Sequence, residues 1–127
     1  MVENNTVQCA CCVGPKLIFP CSGASDIGEI TDRAGRRLMR TGAGKMYCLA
    51  GIGGHVEDMI TQAQQASAIL AIDGCEADCA KKTLEQAGFD GFNHLRVTDL
   101  GMEKGKSPAT YENITAVVKT AEALLSQ

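Results

Sequence analysis

The stretch Lys16-Leu17-Ile18-Phe19-Pro20-Cys21-Ser22-Gly23-Ala24-Ser25-Asp26-Ile27-Gly28-Glu29 decides how this chain folds. A short apolar run breaks at a glycine loop, and a capping pair, Ser25 with Asp26, then opens an amphipathic stretch over 25–40 that Gly42 closes. Strand, turn and helix in that order make one βα unit.

The unit recurs along the chain. A second apolar run, Lys45-Met46-Tyr47-Cys48-Leu49-Ala50, leads through Gly51-Ile52-Gly53-Gly54 to a helix carrying Val56, Met59, Ile60 and Ala63 at helical spacing. A third strand is expected over 67–72, ending in Asp73-Gly74-Cys75, with a helix over 76–87. A fourth is expected over 94–98, and Ser107-Pro108 reads as the start of a final helix that buries Ile114, Val117, Val118, Ala121, Leu124 and Leu125. This alternation predicts an α/β fold: a three-layer α/β/α arrangement around a four-stranded, mainly parallel sheet of Rossmann or flavodoxin-like type. The domain is expected over 17–127, with residues 1–16 as a polar, cysteine-rich arm carrying Cys9, Cys11 and Cys12.

Composition narrows the function classes. The 127 residues are enough for one domain that folds without disulfides, and 14 glycines with 4% aromatics indicate tight turns and an aliphatic core. The start of the chain has no secretory character, and no apolar run is long enough to span a bilayer, so a cytoplasmic protein is expected, with no membrane partner. In a reducing compartment, seven cysteines point to metal, catalysis or redox chemistry rather than disulfides. A net charge of −3 leaves no electrostatic footprint for nucleic acid, and Arg33, Arg36, Arg37 and Arg40 read as a solvated helix face.

Parallel strands place every strand-to-helix loop on one edge of the sheet. On that edge the pattern puts Cys21, Cys48, Cys75 and Cys79, along with Asp26, His55, Asp73, Asp99 and the 104–106 loop, whereas His94 falls at the opposite edge with a structural role. Cys75 and Cys79 stand at i and i+4, facing one point if the helix is regular, and helix amino termini favour ionised thiols. A four-sulfur shell for zinc is therefore the first expectation, and an iron–sulfur cluster is a weaker competitor. Cys9 and Cys12, spaced C-x2-C, are possible accessory ligands. The alternative is a thiol redox enzyme or persulfide carrier with Cys21 or Cys75 as nucleophile. Neither glycine loop supports phosphate chemistry of a known type. Gly51-Ile52-Gly53-Gly54 lacks the dinucleotide pattern, and Ile27 stands where the anion loop of phosphatases would carry arginine.

The segments Ala71-Ile72-Asp73-Gly74-Cys75-Glu76-Ala77-Asp78-Cys79-Ala80-Lys81-Lys82-Thr83-Leu84, Cys21-Ser22-Gly23-Ala24-Ser25-Asp26-Ile27-Gly28-Glu29 and Tyr47-Cys48-Leu49-Ala50-Gly51-Ile52-Gly53 together resemble the DGC-domain family. The resemblance implies zinc chelated by four cysteines, mapping onto Cys21, Cys48, Cys75 and Cys79, in a prokaryotic cytoplasm. It implies no reaction.

Overall fold

In the computed structural model of the chain, residues 14–127 are described. Strand β1 (Lys16–Pro20) is central, with β2 (Lys45–Met46) on one side and β3 (Ala68–Asp73) on the other, and β4 (Asn93–Arg96) completes the sheet beyond β3. All three pairings are parallel, giving the order β2-β1-β3-β4. The pleat sorts the strand residues by face. Ile18, Leu70 and Ile72 pack under helices α1 (Asp26–Arg40) and α5 (Tyr111–Leu125), while Leu17, Phe19 and Ala71 pack under α2 (Leu49–Gly53), α3 (Glu57–Gln64) and α4 (Cys79–Gln86). Helices thus cover both faces, which is the three-layer architecture expected from the alternation.

Helix α1 forms where the sequence places it. The Ser25 hydroxyl accepts from the Gly28 N–H at 3.1 Å, and Gly42 follows the helix at φ +85°. Four boundaries differ from the pattern. The second strand is two residues long, because Cys48 caps α2 rather than extending the sheet, and the Tyr47 ring turns edge-on to Phe19 at 5.8 Å. Helix α4 begins at Cys79, since 74–78 are used by a turn in which the Asp78 N–H reaches the Cys75 carbonyl at 3.1 Å. The fourth strand stops at Arg96, and Val97–Leu100 coil into a 3-10 turn.

The final helix starts at Tyr111 under a Thr110 cap, not at Ser107-Pro108. Ser107 is committed elsewhere: its hydroxyl accepts from Glu103 N–H at 2.8 Å, and its own N–H donates to Asp26. Among the described residues, no helix is long and apolar enough to cross a membrane.

Candidate thiol site

The chain leaves β1 in one direction and β3 in the other, so a crevice opens between their carboxyl ends, where folds of this type bind ligands. A cleft of about 450 Å³ occupies that crevice, and Cys21, Cys75 and Cys79 line it together with Lys104. Small residues, among them Gly23, Ala24, Gly28 and Gly74, make up much of its wall, and Asp73 and Asp78 line it as well. The close approach is built into the sequence, because a Cβ on Gly28 would lie 2.4 Å from the Gly23 carbonyl oxygen. The loop that carries Lys104 is held against α1 by Asp26, which accepts from the Gly105 N–H at 2.9 Å and the Ser107 N–H at 3.1 Å. The Gly105 bond, with those from Ser107 and Ile27, holds the Asp26 carboxyl below its usual range against a partial cost of desolvation.

Cys48 lies in a neighbouring cleft of about 550 Å³, which Cys21 also lines. Cys21 is thus the residue common to both. It is half-buried, with its sulfur 3.5 Å from the Thr31 hydroxyl. That hydroxyl spends its own proton on the Gly28 carbonyl at 2.7 Å and accepts the Ser22 N–H at 3.0 Å, so in this contact the thiol is the donor. All four described cysteines are free thiols, Cys48 and Cys79 exposed and the other two half-buried.

The structure brings the expected residues to one edge but does not close them into a shell. Four sulfurs around zinc at about 2.3 Å stand about 3.8 Å from one another. Among the described residues, no three thiols come within 4.8 Å of each other. The Cys75–Cys79 spacing does not place the pair on one helical turn, because Asp78 sits at φ +53° and only Cys79 is helical. Two of the three non-glycine residues at positive φ, Ser22 and Asp78, adjoin candidate cysteines. Each such conformation costs about 1 kcal/mol or more, and strain of this kind collects where a site must be shaped. Cys9, Cys11 and Cys12 lie outside the described residues.

Donor atoms do gather within 4.8 Å at Asp73, Asp78 and His94, but these groups are spent on each other and on the backbone. Asp73, 1% exposed, accepts from the Ala80 N–H at 2.7 Å and the Lys81 N–H at 3.0 Å, so it caps α4 from the end of β3. Asp78, the residue at the cap position, makes no cap bond of its own and receives both nitrogens of the Arg96 fork at 2.9 and 2.6 Å. The Arg96 hydrogen bonds hold the Asp78 carboxyl below its usual range, and Asp78 pushes the Arg96 guanidinium further above its own. His94 sits 2.9 Å from Asp73. Its imidazole therefore joins the candidate edge, correcting the expectation that it lies at the opposite one. The reason is the shortness of β4, whose second residue already pairs with Ala71 near the end of β3. His94 and Arg96, two apart, face the same side of a strand that should be apolar there, and that is the signal in the sequence that an acidic partner waits above them.

Comparison with known proteins bears on the same residues. The model of the DGC domain matches residues 17–121, a span holding Cys21, Cys48, Cys75, Cys79 and the whole acidic network. The chain belongs to the DGC-domain family. A relative in this family, the anaerobic and virulence modulator AnvM of Pseudomonas aeruginosa, is 33% identical over 88 residues, covering 69% of this chain and 67% of AnvM. No solved structure matches the chain.

Proposed function

We propose that this DGC-domain protein binds zinc through cysteine thiolates at the carboxyl edge of its sheet. The observation that carries the reading is the shared cleft of Cys21, Cys75 and Cys79 at the β1/β3 crevice, with Cys48 in the adjoining one. The donor set suits zinc, because thiolates are its preferred soft ligands. To hold zinc, the sulfurs of Cys21, Cys75 and Cys79 would have to approach one another, and the Cys21 thiol, which donates to Thr31, would have to give up its proton. Four sulfurs would make the site structural, whereas three with Cys48 apart would leave a position for water or another ligand. Zinc held there would supply Lewis acidity to a bound water or other group.

A second reading is a thiol redox or persulfide-carrier function with Cys21 or Cys75 as nucleophile, which needs no closed group of three thiols. An iron–sulfur cluster is a weaker third. AnvM is named as a modulator, and a metal- or thiol-responsive regulatory role fits this chain under either of the first two readings.

Metal analysis of protein purified without chelator separates them. Zinc close to one per chain, lost in Cys75→Ser and kept in Cys11→Ser, supports the site. Metal-free protein with one thiol alkylated much faster than the rest supports the thiol reading and overturns the zinc one. Visible absorption of an anaerobic preparation identifies a cluster.

A further inference from the structure

Four of the chain's five arginines, Arg33, Arg36, Arg37 and Arg40, fall at i, i+3, i+4 and i+7 of α1. This is one helical stripe, which the fold sets beside α5 with Arg37 half-buried and Arg33, Arg36 and Arg40 exposed. The four arginine side chains line a groove of about 290 Å³ whose only other lining residue, among the described residues, is the buried Ile114. One of them is held in place: Arg37 donates to the Thr115 hydroxyl at 2.8 Å and lies 4.6 Å over the Tyr111 ring.

The stripe works against helix stability, because like charges three and four residues apart repel. Carboxylates offset two of the charges, with Glu29 2.9 Å from Arg33 and Asp32 2.7 Å from Arg36, both as exposed i, i+4 pairs of small worth. Residue choice is more telling. All seven lysines lie elsewhere, and a solvated face would accept lysine equally well. Arginine is favoured where a planar fork must grip an oxyanion through two parallel bonds.

We propose that the groove between α1 and α5 binds a compact, multiply charged phosphate-bearing small molecule through these guanidinium forks. Size selects the ligand. From Arg33 to Arg40 the stripe spans about 10 Å of helix, enough for two or three linked phosphates. It is too short to track a nucleic-acid backbone, and the chain around it is acidic overall, at net −3. Arg36 also lines the cleft that holds Cys48, so a ligand seated in the groove lies next to the thiol edge. The proposal is independent of what the thiols bind.

Calorimetric titration of the full chain with inorganic tripolyphosphate at physiological ionic strength tests it. Saturable binding of one equivalent is expected. It is weakened by about tenfold or more in Arg36→Gln/Arg40→Gln, a pair that avoids the packed Arg37 and, losing only the exposed Arg36–Asp32 pair, lowers the thermal melt slightly. The charge-preserving Arg36→Lys/Arg40→Lys protein should also bind more weakly than the parent, because the forks are lost while the charge remains. Absence of saturable binding, or parent-like binding by the glutamine variant, overturns the site. Parent-like binding by the lysine variant overturns the fork assignment. A single-stranded decanucleotide that binds more tightly than tripolyphosphate makes the face a nucleic-acid surface and overturns the choice of a compact ligand.

Discussion

Replacing Asp73 with alanine removes the carboxylate that organises the end of β3. Three donors converge on it at 2.7, 3.0 and 2.9 Å, from Ala80 N–H, Lys81 N–H and the His94 ring, in a place 1% exposed to solvent. Loss of a helix cap costs about 1 kcal/mol, and leaving buried donors without a partner adds roughly 2 kcal/mol. A total near 3 kcal/mol is a large share of the 5–15 kcal/mol typical of a domain. At about 2.1 cal/mol/K per residue, the melting temperature of a 127-residue chain falls by roughly 11 °C. Denaturant unfolding and calorimetry give the global value, and alkylation mapped by mass spectrometry gives the local one. Cys79, the first residue of α4, should react faster as the helix start frays, while Cys48 on α2 keeps its rate. Asp73→Asn retains one acceptor oxygen and should lose about half as much. The reasoning is refuted if Asp73→Ala unfolds within 1 kcal/mol of the parent, or if Cys79 and Cys48 speed up alike.

Gly28→Ala should destabilise by about 2 kcal/mol in denaturant unfolding, because its new Cβ would meet a backbone oxygen, that of Gly23 at 2.4 Å, which cannot rotate aside. Gly53→Ala, whose Cβ meets only a Thr83 methyl at 3.4 Å, serves as the tolerated control. Stability should fall with acid in a defined window. The carboxyls of Asp78, Asp26 and Asp32 are all depressed in the folded chain, so their contribution is present above the unfolded value of about 3.9 and is lost as pH drops through the lower folded values. Acid unfolding followed by circular dichroism should therefore begin below about pH 4. Arg96→Gln removes the main cause of the Asp78 shift and should move the acid midpoint to higher pH. An unchanged midpoint would show that Arg96 does not set the Asp78 carboxyl.

The architecture was legible because strand and helix periods alternate cleanly from Lys16 onward, and two of the helix ends carry unambiguous chemistry at Ser25 and Gly42. Boundaries failed where a side chain was recruited from a distance. Ser107 looks like a cap in sequence, yet Asp26 and Glu103 claim it, so the last helix waits for Thr110. Glu76 looks like the first residue of a helix, yet the cap that starts α4 is Asp73, which spans a turn no local propensity records. The place of His94 is hidden for a related reason: the apolar residues carry the strand pattern on to Thr98, whereas the strand ends at Arg96, where β3 also stops at Asp73. The edge occupied by the four cysteines could be read because parallel topology alone fixes it; the distances between them could not, because those depend on an αL residue and a two-residue strand.

The acidic network and the thiol cleft share a wall, and that gives the network a role beyond stability. Asp73, Asp78 and Cys79 succeed one another around the turn that also carries Cys75, and Arg96 fixes Asp78 in its left-handed conformation through a two-point contact. Asp78 lines the cleft, but both its oxygens are engaged by the Arg96 fork, which leaves the thiols as the donors free for a soft ion. The turn is anchored at its base through Asp73 and Asp78, and at its tip Cys75 is half-buried against the core while Glu76 and Ala77 are exposed. The same division sets sulfurs that form no closed group among the described residues on an ordered scaffold, whose base is fixed by burial and ion pairing.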